Sequence, residues 1–305
     1  MNYSRVALTT LLLLSFRMLP AQSISTTITN YFDQVRQNAY PAQPRSLWQE
    51  EAQHTEVLAA LTPYYSDTLA QVRAKAYYLA KQVGTSSQKL ALRQRVTEQL
   101  VAGLSDEDSG NAGRVNSYLT EFRPVDFTAK AQQQLANLLL QRPAHFSQLL
   151  LLVGTLGMQD QTSVLQRMLP SLSGRHRWSA QLALARMGDQ EALTDVLARV
   201  KRYPVNDDVV YELLPDLVYT RQKEAIDYLA AIVQSDERNC QSADPEAEEP
   251  ILCGYRVLEL LAPIIENFPL ALDESGDLAV NDYPAALQQA RRWLSQHPNY
   301  QIANQ

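Results

Sequence analysis

A hydrophobic period of three to four residues recurs along almost the whole chain and constrains its fold more than any other feature. Similar apolar stripes continue as far as Ile265, and no segment alternates polar and apolar residues as a half-buried strand does. The sequence therefore predicts an all-α fold. The clearest stripe has the spacing of one helix face and consists of Leu69, Val72, Ala76, Leu79, Ala80 and Val83.

Glycines divide this pattern into short helices. Gly84, Gly157 and Gly188 each follow the last apolar turn of a helix, where a left-handed residue closes the C-terminus, and Asp189 then suits an N-cap. One helix pair cannot bury its own apolar faces, so successive pairs must stack. We predict an α-α superhelix of about six helix pairs over residues 46–297, although an irregular helical domain is the alternative. The units are 46–84, 87–122, 125–157, 160–188, 189–220 and 221–265, with a last helix at 284–297, a polar lead-in at 24–45 and a flexible tail at 298–305.

One segment carries a motif as well as a period. Residues 177–197, RWSAQLALARMGDQEALTDVL, resemble a HEAT repeat of the short bacterial kind: Arg177 and small residues open a helix, and Gly188-Asp189 leads into the next one. Residues 67–76 resemble the same start of a second helix, with Val72-Arg73 at the expected place. The resemblance implies a HEAT-like solenoid and a packing role for Arg177. Phycobilin lyases resemble the same repeat, but the motif by itself implies no chemistry.

The N-terminus predicts an export signal over residues 1–23. Arg5 precedes an apolar run from Val6 to Phe16, which is shorter than the ~20 residues that span a bilayer. Small residues then allow cleavage after Ala21 or after Ser23. We expect a secreted or periplasmic protein with no membrane span once the signal is removed; a short membrane anchor is the alternative.

Cys240 and Cys253 are the only cysteines. In an exported protein such a proximal pair is most simply a disulfide. A metal pair or a redox centre has weaker support, because the sequence has no CxxC motif and no histidine near either cysteine. The bridge would close a loop of about 14 residues within an insertion at 236–254 that departs from the HEAT pattern.

The patterns of catalytic and cofactor sites are absent. The four histidines are scattered without metal-ligand spacing, and with only 10 glycines the chain has no phosphate-binding loop and no GxSxG motif. We expect no catalytic residue, no cofactor and no metal site. Two acidic turns, 106–111 and 273–282, carry oxygen ligands of the kind calcium takes, but they lack the EF-hand order and fit solvated connecting loops. A net charge of −6 argues against nucleic-acid binding.

Tyrosine outnumbers phenylalanine by 15 to 6. Tyrosine is favoured at binding surfaces, although it also fills half-buried positions between helices. A basic cluster beside a tryptophan could hold a carboxylate or phosphate at a helix N-terminus, or could pack between repeats. The candidate binding surface comprises Tyr64, Tyr65, Tyr77, Tyr78, Arg175, Arg177 and Trp178.

Together these features predict an exported, non-catalytic helical-repeat scaffold that binds a protein or a peptide. Its acidic surface suits a basic partner. A glycan-binding module of the cell envelope is the first alternative, and a lyase-like helical-repeat enzyme is the second.

Overall fold

The computed structural model describes residues 23–242, Glu246 and 249–303, and this part of the chain has the all-α fold that the sequence predicts. Backbone pairing outside the helices is limited there to isolated bridges. The predicted export signal lies outside the described residues, apart from Ser23. The helices are α1 (Ile24–Arg36), α2 (Ser46–Gln49), α3 (His54–Leu61), α4 (Ala70–Ser86), α5 (Leu90–Gly103), α6 (Ser109–Leu119), α7 (Ala129–Gln141), α8 (Phe146–Thr155), α9 (Thr162–Met168), α10 (Gly174–Arg186), α11 (Gln190–Val200), α12 (Asp207–Glu212), α13 (Leu214–Thr220), α14 (Lys223–Gln234), α15 (Gly254–Leu261) and α16 (Tyr283–Gln296).

One apolar core connects these helices, from Ile28 in α1 to Tyr300 beyond α16. Helices that pack on one another are close in sequence: α8 lies on α10, α10 on α11 and α13, and α14 on α15 and α16. This order of contacts is what a stack of successive helix pairs requires, while the superhelical arrangement itself stays a prediction. Within the described residues, no helix combines the length and the apolar character needed to cross a membrane.

Glycine ends helices at two of the three expected places. Gly157 and Gly188 have left-handed φ angles of +61° and +92°, and the Asp189 side chain then caps α11 by accepting the backbone N–H of Ala192 at 2.9 Å. Gly84 differs, because it is buried inside α4. A Cβ atom there would lie 2.8 Å from the ring of Phe122, so this glycine permits close packing and does not end the helix.

The expected polar lead-in at 24–45 is wrong over its first half. Residues 24–36 form α1, which places Ile28, Tyr31, Phe32 and Val35 in the core. These four apolar residues have the spacing of one helix face, but polar neighbours separate them and hide the pattern. The Ser23 hydroxyl caps the helix by accepting the N–H of Thr26 at 3.2 Å.

The expected flexible tail at 298–305 is wrong over 299–303. Tyr300 is 9% exposed, and its hydroxyl donates to Asp227 at 2.8 Å. The N–H of Ala303 donates to the carbonyl of Ile264, and the carbonyl of Gln301 accepts the N–H of Glu266. Burial of the Tyr300 ring and these backbone bonds fix the segment against the end of the helical stack.

Two arginines make the same pair of contacts in consecutive helices. Arg73 and Arg93 are each the fourth residue of their helix, α4 and α5. Each donates from Nη1 to the carbonyl six residues before it, and from Nε to an aspartate 33 residues after it. Asp106 and Asp126 are these aspartates, and both carboxylates are almost fully buried. Each guanidinium therefore links the connector before its own helix to a connector one unit further along.

The ion pair of Arg73 and Asp106 is the more extensive of the two. Asp106 accepts Nε and Nη2 of Arg73 at 2.8 and 2.7 Å, the Tyr77 hydroxyl at 3.0 Å and the N–H of Asp108 at 2.8 Å. Burial alone raises the pKa of Asp106, but these donors outweigh it and lower that pKa below its usual value. Asp106 is therefore ionised near neutral pH.

The predicted disulfide between Cys240 and Cys253 is confirmed. Both cysteines are buried, and Cys240 also exchanges two backbone hydrogen bonds with Ile251, at 3.2 and 2.7 Å. Cys253 directly precedes α15. The bridge thus fixes both ends of the inserted segment against the helical core.

We expect Asp106→Asn to lower the free energy of unfolding by about 3 kcal/mol at pH 7, because it leaves the largely covered Arg73 guanidinium without its counter-ion. Urea denaturation measures the change. The stabilisation from ionised Asp106 is fully present above the unfolded pKa of about 4 and is lost as the pH falls through the lower folded pKa. The difference between wild type and variant should therefore shrink towards pH 3.

Asp160→Asn is the matched control, since Asp160 is exposed and makes no ion pair within the described residues. It should change stability by less than about 0.5 kcal/mol. Equal losses in the two variants, or a gap that widens on acidification, would show that the buried ion pair is not what stabilises this region.

We expect the double variant Cys240→Ala, Cys253→Ala to lose about 3 kcal/mol, because the unfolded chain is no longer cross-linked across this loop. Thermal or urea unfolding measures it. Reductant should destabilise the wild type by a similar amount and leave the variant unchanged. A wild type insensitive to reductant under unfolding conditions would contradict this expectation.

Candidate functional site

The structure separates the seven residues of the predicted binding surface into different environments. Tyr64 is a core residue, 8% exposed, whose ring stacks on Phe32 at 3.8 Å between centroids. Its assignment to a binding surface is wrong, because the apolar face of α1, which the sequence pattern hides, covers it. Tyr78 is half-buried and donates from its hydroxyl to Gln43 at 2.7 Å.

Arg175, Arg177 and Trp178 lie together at the start of α10. Both arginines are exposed, and the side chain of Arg177 makes no hydrogen bond or ion pair within the described chain. The packing role that the HEAT resemblance implies for Arg177 is therefore wrong; Arg73 and Arg93 make such contacts. Trp178 is half-buried, and its Nε1–H donates to Asp216 at 2.5 Å.

Tyr65 and Tyr77 form a common cleft, which we call the tyrosine cleft. Their rings stack at 5.6 Å between centroids, and the cleft encloses about 580 Å³ between the start of α4, the end of α5 and the connector that follows α5. This volume is within the range of ligand pockets. Its walls consist of Tyr65, Ser66, Asp67, Thr68, Arg73, Tyr77, Gln99, Ala102, Gly103, Ser105, Asp106 and Glu107.

Gly103 makes room for the floor of the tyrosine cleft. A Cβ atom at this position would lie 2.7 Å from the ring of Tyr77, so any larger residue would displace that ring. With that ring in place, the Tyr77 hydroxyl reaches Asp106. The floor is thus built from contacts that also link consecutive helices.

The charges on the floor of the tyrosine cleft are compensated. Arg73 pairs with Asp106, and Asp67 pairs with Arg36 at 2.8 Å. The ion pair holds the pKa of Arg73 above its usual value, chiefly through its hydrogen bond to Asp106, while the pKa of Asp106 is lowered. Both groups therefore stay charged near neutral pH.

The walls of the cleft, in contrast, carry free polar groups. The hydroxyl of Tyr65, the amide of Gln99 and the carboxylate of Glu107 make no hydrogen bond or ion pair to any described residue. Burial raises the pKa of Tyr65, so its phenol stays protonated and can donate. The cleft therefore combines an aromatic face, a donor and acceptor amide, and the Glu107 carboxylate, which makes no ion pair but lies near enough to Arg73 to help raise its pKa.

Gln99, Gly103 and Glu107 were not among the residues predicted from sequence. None of the three belongs to a recognisable sequence motif. The separation between each bridging arginine and its aspartate could have located them. Arg73 and Asp106 are separated by the same 33 residues as Arg93 and Asp126, so Asp106 marks the connector that faces α4. Its neighbours then become candidates for the same surface.

His54, His145 and one of the acidic turns make hydrogen-bonding contacts with the backbone. His54 is buried, with Nε2 at 3.2 Å from the carbonyl of Trp48, and Nε2 of His145 lies 2.8 Å from the carbonyl of Ser109. Asp273 accepts the N–H groups of its own turn. Within the part of the chain that the structure describes, no three histidine, cysteine or acidic side chains cluster as metal ligands do.

Comparison with protein-family models, with curated proteins and with solved structures finds no match to this chain. The HEAT-like resemblance of residues 177–197 therefore rests on the sequence motif alone.

Proposed function

We propose that the protein is an exported, non-catalytic helical-repeat scaffold that binds a segment of a partner protein in the tyrosine cleft. One observation carries the proposal: Tyr65, Gln99 and Glu107 line a cleft of about 580 Å³ and none of their polar ends has a partner within the described residues. Polar groups placed around a concave aromatic surface are typical of recognition sites.

The three groups suit a peptide that carries a basic side chain. The Gln99 amide can pair with a peptide N–H and C=O at once. Glu107 can accept a charge-assisted hydrogen bond from lysine or arginine, and the Tyr65 ring offers a face to an aliphatic or cationic group. The net charge of −6 favours approach of a basic partner.

The repeated arginine bridges support the scaffold part of the proposal. Arg73 and Arg93 make equivalent contacts from consecutive helices, so the same kind of ion-pair bridge holds both helices in the stack. Such a framework presents a preformed surface, so little conformational entropy is lost when a peptide binds. The locked charges of Arg73 and Asp106 support a non-catalytic role.

The disulfide supports export. A buried bridge between Cys240 and Cys253 persists in oxidising compartments such as the periplasm or the extracellular space. The apolar run of residues 6–16 provides the signal, and we propose cleavage after Ala21. Cleavage after Ser23 would remove the N-cap of α1 and place a positive α-amino group at the start of that helix.

Selection from a random peptide library tests the binding proposal. We expect the enriched peptides to share lysine or arginine, and we expect Tyr65→Ala and Glu107→Gln each to weaken their binding on the order of tenfold, as loss of an interface anchor does. Fluorescence anisotropy with a labelled enriched peptide measures the affinity.

Tyr203→Ala and Glu191→Gln are the matched controls, because both residues are exposed and lie outside the tyrosine cleft. They should leave the affinity within about twofold. If no peptide motif is enriched, or if the enriched peptides bind equally well to the cleft variants, the tyrosine cleft is not a peptide site. A glycan array on the same protein would then test the envelope-glycan alternative.

N-terminal sequencing of the protein recovered from the periplasm or medium tests export and its cleavage position together. We expect the mature chain to begin at Gln22, which keeps the cap at Ser23. A chain that begins at Ile24 would contradict the capping argument, and a chain that retains residues 1–21 would contradict cleavable export. Ser23→Ala should lower stability by about 1 kcal/mol through loss of the cap.

A further inference from the structure

A second cleft lies near the other end of the chain. It encloses about 640 Å³ where the ends of α8, α10 and α13 meet the segment 299–303. We call it the arginine cleft, because three cationic side chains line it and none of its described lining residues carries a carboxylate. Its walls consist of Gly154, Thr155, Gly157, Arg186, Arg221, Lys223, Asn299, Tyr300, Gln301, Ile302 and Ala303.

The three cationic side chains differ in whether a carboxylate neutralises their charge. Lys223 pairs with Asp227 at 2.5 Å and lies 4.2 Å from the centre of the Tyr300 ring. Arg186 and Arg221 have no carboxylate partner within the described residues.

Arg186 is held in place by neutral groups. Its Nη1 donates to the carbonyl of Tyr219, and its guanidinium lies 4.9 Å from the centre of the Tyr219 ring. Burial lowers the pKa of Arg186, and the nearby Tyr219 only partly offsets this. The carbonyl at the end of α13 satisfies one donor but supplies only the partial charge of a helix C-terminus.

Arg221 is less satisfied than Arg186. It directly follows α13 with a left-handed φ of +55°, and its Nη1 is buried without an acceptor in the described chain. Burial lowers the pKa of Arg221, and the charge of Arg186 lowers it further. A buried cationic donor with neither counter-ion nor acceptor destabilises the folded protein.

The arginine cleft is also preformed. A Cβ atom on Gly154 would lie 2.3 Å from the Tyr219 hydroxyl and 2.7 Å from the Cα of Ala183, so glycine is needed where α8 meets α10 and α13. The Tyr219 hydroxyl donates to the carbonyl of Leu151 at 2.6 Å. These contacts fix Tyr219, and Tyr219 in turn positions Arg186.

We propose that the arginine cleft binds the oxyanion of a small molecule, a carboxylate or phosphate group, between Arg186 and Arg221. The guanidinium fork matches the planar geometry of such oxygens and can donate two hydrogen bonds at once. The bound oxyanion accepts hydrogen bonds from the guanidinium nitrogens of Arg186 and Arg221 that line the cleft, and its negative charge relieves the repulsion between the two arginines. Lys223 adds a positive charge to the wall of the cleft.

Thermal unfolding of the mature protein in sodium phosphate and in sodium chloride of equal ionic strength tests this site. We expect a higher Tm in phosphate, because a ligand that binds only the folded state stabilises it. Arg221→Met should lose this response, with phosphate affinity by calorimetry reduced on the order of tenfold or more. In chloride the same variant should be at least as stable as the wild type, since it removes an unpaired buried charge.

Arg177→Met is the matched control, because it removes the same charge from an exposed position and should keep the full phosphate response. Phosphate also stabilises proteins by exclusion from their surfaces, and that general effect is identical in the two variants. A phosphate response that Arg221→Met keeps in full, with no Arg221-dependent stabilisation by the carboxylates tested below, would overturn the proposal.

A parallel series distinguishes the two sources of the oxyanion. Glycerol phosphate represents phosphate esters, and acetate and succinate represent carboxylates. Stabilisation that depends on Arg221 with either group supports the site and identifies its ligand class. Failure of phosphate, glycerol phosphate, acetate and succinate together would overturn it, and this outcome leaves the tyrosine cleft and its peptide test unaffected.

Discussion

An ion pair in which an arginine links two connectors through a buried aspartate is the interaction on which the rest of the structure depends. Arg73 and Arg93 each hold the connector before their own helix against a later connector, whose aspartate lies 33 residues after the arginine. The apolar core alone favours contact between neighbouring helices without specifying their register. A bidentate ion pair such as that of Arg73 and Asp106 defines one register, because displacement by a single residue would leave both buried charges unpaired. The same ion pair forms the floor of the tyrosine cleft.

The two clefts show how one residue type serves two purposes. Arg73 faces a buried carboxylate, so its charge is compensated and its contact stabilises the fold. Arg186 and Arg221 face carbonyls, a ring and each other, so their charges remain available. Groups that a fold leaves uncompensated in a preformed cavity are typical of binding sites, because the ligand supplies the missing interaction.

The helices and the disulfide could be predicted from sequence because each depends on local spacing. The apolar stripe of α4, Gly188 with Asp189, and the pair Cys240 and Cys253 all interact within a few turns or one loop. Tyr64 and Gly84 were misassigned because their surroundings come from distant segments: α1 covers Tyr64, and the Phe122 ring occupies the space beside Gly84. The lack of a described carboxylate partner for Arg221 could not be predicted for the same reason. It depends on which side chains four separate segments of the chain bring near this arginine.

A contact between residues 33 positions apart occurs both in the arginine bridges of α4 and α5 and in the arginine cleft. Arg73 and Arg93 find Asp106 and Asp126 at that distance, whereas Arg186 finds the carbonyl of Tyr219. Arg186 lies at the end of its helix and not at its start, so its contact is not a copy of the other two. The consequence is electrostatic. A neutral carbonyl satisfies the donor but not the charge, and the uncompensated charge next to Arg221 gives an acidic protein one place where an anion is favoured.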